Sequence, residues 1–187
     1  MLLDNFDSFT YNLVDYFEQL GAPCHVVRNN EPLKDFMDRD YDGIVLSPGP
    51  GVPANSGVLM ETIDHYYKRL PMLGICLGHH ALGTYFGGKL IKAQKPLHGK
   101  VRKITLQKDV LFNDLPATIN VVQYNSLILE KPPSFLEVIA LSGQGEIMGL
   151  RHQSLPIWGM QFHPEAALTE HGLKILKNWL VYNNITV

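Results

Sequence analysis

The sequence predicts a single α/β domain over residues 1–187, with a mostly parallel central sheet flanked by helices and a small antiparallel addition. Three observations predict it. Short apolar runs of strand length alternate with stretches of helical period through the first half of the chain. The second half changes character, to strand-like runs joined by short turns. Hydrophobic residues make up 45% and charged residues 18% of 187 residues, enough to bury an ordinary globular core.

The elements follow in order. Leu2-Leu3 is a clipped strand. A helix over residues 9–20 places Phe9, Leu13, Tyr16, Phe17 and Leu20 at helical spacing, and Gly21 ends it as a C-cap. Residues 25–28 form the next strand, and Ile44-Val45-Leu46 mark a third over 43–47. A helix near 57–68 leads to a fourth strand, 72–75, and residues 81–86 favour helix. This rhythm gives a parallel sheet with helices on both faces. Ligands in such sheets bind outside the carboxyl ends of the strands. The loops at 4–8, at 47–53 and at Cys76 all lie there, so they are expected to converge. Later strands are read over 89–93, 101–106, 119–123, 136–141, 147–151 and 157–161, with a closing helix over 170–182. The sequence contains no internal repeat, low-complexity tract or linker.

Several function classes are excluded by composition. A formal net charge of −2 leaves no basic surplus for a nucleic-acid footprint. No apolar run approaches the roughly 20 residues of a membrane span. The first residues carry no basic n-region or cleavage signal, so a cytoplasmic address is expected. Two cysteines, Cys24 and Cys76, do not make a disulfide scaffold. The adjacent His79 and His80 diverge by about 100° on a helix, and no Cys/His set has zinc spacing, so neither metal nor other cofactor is expected.

One cysteine stands out chemically. In Gly74-Ile75-Cys76-Leu77-Gly78, Cys76 sits between glycines where an apolar strand meets a helix. A nucleophile on such a sharp turn needs flanking residues without a Cβ. The helix N-terminus behind it favours a thiolate. Gln161-Phe162-His163-Pro164-Glu165 supplies the partners. His163 and Glu165, two residues apart on an extended strand end, face the same way. His163 then takes the thiol proton and returns it to a leaving amine, while Glu165 fixes its tautomer. Tetrahedral intermediates need converging backbone N–H groups. Ser47-Pro48-Gly49-Pro50-Gly51, a stiff loop after a buried strand, is a candidate source of one. In Asp4-Asn5-Phe6-Asp7-Ser8-Phe9-Thr10, Asp7 or Ser8 is expected simply to cap the following helix.

These strings, together with His98-Gly99-Lys100, occur in an order and spacing that resembles the class I (triad) glutamine amidotransferases. Among them, the chain is most similar to the glutaminase subunits (component II) of anthranilate synthase and aminodeoxychorismate synthase. The resemblance spans nearly the whole sequence. It implies hydrolysis of L-glutamine to glutamate and ammonia through a thioester on Cys76. It also implies a heteromeric complex with a chorismate-binding synthase subunit (component I) that receives the ammonia. Carried over by position, Cys76, His163 and Glu165 are catalytic, and the N–H groups of Gly49 and Leu77 form the oxyanion hole. Gly49, Pro50, Gly51, Leu77, His80, Ser126 and Leu127 lie in the substrate-binding shell.

The chain departs from the family at three points. His80 stands where the family usually has glutamine. Gln123-Tyr124-Asn125-Ser126-Leu127 replaces the common Arg-Tyr-His-Ser-Leu. Ala166 follows Glu165 where serine is usual. His80 and Asn125 also fit a binding or regulatory subunit with little glutaminase activity. The triad also fits a stand-alone thiol hydrolase of γ-glutamyl compounds.

Overall fold

The computed structural model describes residues 1–93 and 95–185. Its parallel half is built from β1 (Leu2–Asp4), β2 (Val26–Arg28), β3 (Ile44–Leu46), β4 (Met72–Ile75) and β11 (Ile157–Met160). The last of these closes the chain's excursion through β6 (Lys100–Leu106), β7 (Thr118–Gln123), β9 (Leu136–Ser142) and β10 (Ile147–His152). All nine belong to one sheet, ordered β2-β1-β3-β4-β11-β10-β9-β6-β7. Pairing is parallel from β2 to β11 and antiparallel beyond it. The antiparallel addition is thus continuous with the main sheet. A separate ribbon pairs β5 (Lys89–Lys92) with β8 (Leu127–Glu130).

Each face of the sheet is covered. On one, α1 (Thr10–Gln19) and α4 (Gly172–Tyr182) bury Leu13, Phe17, Ile175, Leu176 and Trp179 in one core with Trp158 and Met160. On the other, α2 (Leu59–Tyr66) and α3 (Leu77–Tyr85) bury Leu59, Ile63, Leu77 and Ala81 against Leu3, Ile44 and Leu46. The alternation of residues along β1 and β3 divides them between the two cores, as fully buried parallel strands require. Among the described residues, no helix is long and apolar enough to cross a membrane.

Most predicted elements are present, with instructive differences. Gly21 (φ 71°) does end α1: its N–H donates to Glu18 O at 2.8 Å, and that of Ala22 to Phe17 O at 2.8 Å. Phe9 and not Asp7 or Ser8 occupies the cap position, although Asp7 Oδ2 accepts the Phe9 N–H at 2.8 Å just ahead of the helix. Asp4 organises this loop instead. Its Oδ1 accepts from Phe6 N–H at 3.0 Å, Asp7 N–H at 3.3 Å and the Thr10 hydroxyl at 2.7 Å. Strand β8 is absent from the predicted elements: it is four residues long, lacks alternation and is closely followed by Pro132-Pro133. Helix α3 begins at Leu77, four residues before the predicted stretch.

Candidate active site

Cys76 occupies the single residue between β4 and α3, with φ 51° and ψ −98°. A non-glycine residue there is strained by roughly 1–3 kcal/mol. Surrounding contacts hold it. Its N–H donates to Met160 O at 2.8 Å, and its C=O accepts the His80 N–H at 3.0 Å. The close approach of α3 to the sheet explains the glycines. Leu46, Gly74 and Gly159 are register partners across β3, β4 and β11. A Cβ on Gly74 would strike the Gly78 backbone, and one on Gly78 the Leu46 backbone. A Cβ on Gly159 would meet His79 Nδ1 at 2.6 Å. The first turn of the helix is therefore seated directly on strand backbone, immediately after Cys76.

His163 and Glu165 reach the same place differently from the extended strand end expected. Strand β11 stops at Met160, and the chain turns so that His163 N–H donates to Val122 O on β7 at 3.1 Å. Thr169 locks the turn. Its hydroxyl donates to His163 O at 2.7 Å and accepts the Val122 N–H at 3.0 Å. Within this turn, His163 Nδ1–H donates to Glu165 Oε1 at 2.6 Å, with both side chains buried. Nε2 makes no completed hydrogen bond among the described residues, yet lies near enough to Cys76 for the sulfur to act on its charge. Burial pulls the imidazole pKa down, but Cys76 and Glu165 outweigh it and raise it to about 10. That balance favours the charged form of the His163 imidazole, held between the Cys76 sulfur and the Glu165 carboxylate.

The predicted loops converge on this pair. Asn5 N–H donates to Ser47 Oγ at 2.8 Å and its amide to Ser47 O at 2.9 Å, which fastens the 4–10 loop to the 47–51 loop. Gly49 is pressed so close that a Cβ would lie 2.5 Å from Asn5 O and 2.9 Å from Leu77 Cδ2. Among the described residues the backbone N–H groups of Gly49 and Leu77 donate to nothing in the protein. Pro50 and Gly51 (φ 78°) form the exposed rim of that loop. Ser126 is exposed and Leu127 half-buried where β8 begins. His80 is buried rather than open to the cleft, and its Nε2–H donates to Gln161 Oε1 at 2.7 Å. Burial lowers the His80 pKa, against the favourable Gln161 and Leu127 backbone contacts. A substrate contact through Nε2 is therefore pre-empted in this arrangement.

Three participants escape sequence reasoning. Gln161 Nε2–H donates to Cys76 Sγ at 3.8 Å. The Tyr124 ring stands edge-on to His163 at 5.0 Å, and is itself packed by Phe9 and His98 at 5.8 and 5.2 Å. Asp4 shapes the bracing loop. Gln161 and Tyr124 lie inside recognisable motifs, but only tertiary contact gives them partners. A cavity of about 560 Å³ between the β5–β8 ribbon and the β9–β10 turn contains none of the predicted site residues.

The fold is that of an α/β protein with a buried cysteine, histidine and glutamate gathered at the carboxyl end of a parallel sheet, and comparison with known proteins places it. The glutamine amidotransferase class-I family matches residues 1–182, and the chain belongs to that family. It is 46% identical to anthranilate synthase component 2 of Azospirillum brasilense, over 96% of this chain and 94% of that one. Identity to aminodeoxychorismate synthase component 2 of Escherichia coli is 44%, over 96% and 98%. Identity to the aminodeoxychorismate/anthranilate synthase component 2 of Bacillus subtilis is 38%, over 96% and 94%. Among solved structures, a candidate GMP synthase subunit from Thermoplasma acidophilum superposes with TM-score 0.88 at 27% identity, covering 98% of this chain and 92% of that one.

Proposed function

We propose that the chain is one glutamine amidotransferase domain, the glutaminase subunit of a chorismate-using synthase. In this reading Cys76 is the nucleophile, His163 the acid–base group and Glu165 its orienting carboxylate. The observation that carries it is the buried His163–Glu165 pair beside a cysteine on a strained strand–helix turn. The Cys76 thiolate attacks the side-chain carboxamide carbon of glutamine, and the N–H groups of Gly49 and Leu77 receive the developing oxyanion. His163 protonates the departing nitrogen, so ammonia leaves and a γ-glutamyl thioester remains. His163 then takes a proton from water as it attacks the thioester. Glutamate departs and the thiolate is restored. Gly49, Pro50, Gly51, Leu77, Ser126 and Leu127 surround the glutamine, with His80 behind them.

The ammonia passes to a component I partner that binds chorismate, and the complex works in the cytoplasm. Relatives named for both synthases support this partner class. The test is Cys76→Ala in the complex. Glutamine-dependent synthesis is expected to fall by at least about a thousandfold, the scale of losing a catalytic nucleophile. Synthesis from added ammonium should stay intact. Survival of glutamine-dependent synthesis, or loss of both, would overturn the assignment.

A further inference from the structure

A second buried route leads to the Cys76 sulfur, separate from His163. His80 and Gln161 are 81 residues apart in sequence yet both are buried, at 4% and 0% exposure. In this pairing Gln161 presents Oε1, which only accepts, so the tautomer that matches it carries the proton on His80 Nε2, 2.7 Å away. With its oxygen so engaged, the Gln161 amide has one orientation left. Its NH₂ group turns to Cys76 Sγ at 3.8 Å, within reach of a large sulfur acceptor. An N–H donor favours thiolate over thiol, because the anion accepts more strongly. The amide of an unrestrained glutamine could equally present its oxygen, which would favour the thiol instead. We infer that His80 is a positioning residue: through Gln161 it holds an N–H donor against the Cys76 sulfur and so sets the reactivity of the thiol. The inference deepens the glutaminase reading and rests on Cys76 being its nucleophile.

The rest of the site argues for a fixed rather than a tunable device. His80 projects from α3 to the start of β8, touching the Leu127 backbone, while its neighbour His79 is wholly buried over Gly159. The charged groups that face this side of the site are His163, which Cys76 and Glu165 both act on, and Asp7 further out in the field of that pair. None of them touches the His80–Gln161 contact. Removing that contact leaves the His163 route in place.

The test reads the thiol directly, by the rate of iodoacetamide alkylation of Cys76 in the full chain as a function of pH. Alkylation requires no glutaminase turnover, so failure here and failure of the glutaminase assignment are distinguishable. His80→Phe, which fills the space without a donor, is expected to slow alkylation at neutral pH about fivefold and move its profile to higher pH. His80→Gln, which can still donate to Gln161, should restore most of the rate. Gln161→Met should match His80→Phe, and the double variant should be no slower than either, as expected for one path. An unshifted profile in His80→Phe, or additive losses in the double variant, would overturn the inference. A measurement on the unaltered chain stands beside these: nitrogen-15 shifts of His80 should show a protonated Nε2. An unprotonated Nε2 would also overturn it.

Discussion

The charge balance at His163 makes a prediction that stands on one residue. Its pKa is about 10 in the folded chain against an ordinary 6.5, set by Cys76 and Glu165 against burial. A group raised on folding contributes stability in full below the unfolded value. That contribution is lost as pH rises through the folded value. The folding free energy should therefore decline between about pH 6.5 and pH 10 through this group, with a smaller decline in His163→Asn. In Cys76→Ala the imidazole loses the sulfur, and its titration, followed by histidine NMR, should move toward neutral pH. An unchanged titration would mean that the sulfur does not face Nε2. Cys76, His163 and Glu165 are legible in the sequence because the chemistry demands those residue types next to glycines and at close spacing. Gln161 and Asp4 are not. A glutamine or an aspartate has many local uses, and only the chain's return over tens of residues gives Gln161 its partners, while Asp4 sits in a motif whose local reading points to Asp7 or Ser8 as the cap and not to Asp4.

The strand–helix junction is the element on which the site depends. Its accuracy comes from missing side chains: Gly74, Gly78 and Gly159 let α3 rest on the backbone of three neighbouring strands. Gly78→Ala is the sharpest probe, because its Cβ would meet the Leu46 carbonyl and not a flexible side chain. Ordinary overpacking costs about 1–3 kcal/mol, and alanine's better helix propensity recovers at most about 1 kcal/mol of it. The variant should unfold at lower temperature. Its glutaminase rate should fall further than its stability alone explains, since Cys76 moves with the helix. Wild-type rate and melting temperature would contradict this account. The same glycines hide the start of the helix from sequence reasoning. With Gly78 and Gly83 in nine residues, α3 lacks the propensity and periodicity of α1, whose stripe of Leu13, Val14 and Phe17 is plain. The parallel β-α alternation is legible for the opposite reason, since its inner strands β3, β4 and β11 are short, wholly buried runs packed between two layers of helices. Strand β8 gives no such signal, because its pairing is with β5, across the whole of β6 and β7 in sequence.

At the scale of the whole molecule, one sheet separates its two larger cores, which share strands but not side chains, beside a smaller cluster of Leu129, Leu136, Ile147 and Leu150. Ile175 of α4 lies wholly buried in one, with Phe17, Trp158 and Trp179. Ile63 of α2 lies wholly buried in the other, with Leu59, Tyr66 and Met72. Side-chain packing is local, so a vacancy in one core has no neighbour in the other to relax into it. The strands between them couple the cores in a different sense: neither face is stable without the sheet, so both should unfold in one transition. Ile63→Val and Ile175→Val each remove one buried methyl group and should cost about 0.5–1.5 kcal/mol. Combined, the two losses should add to within about 0.5 kcal/mol, in a single cooperative unfolding curve. Denaturant unfolding followed by tryptophan fluorescence and by circular dichroism checks both parts. Trp158 and Trp179 both report from the Ile175 core, whereas dichroism reports from every helix. Coincident curves with additive shifts would match this architecture. Separate transitions would show that the α2–α3 face folds as a unit of its own, and strong non-additivity would mean that packing strain crosses the sheet. The second result bears on function, because the sheet's carboxyl edge carries Asn5, Gly49, Cys76 and the turn to His163 from strands that face both cores.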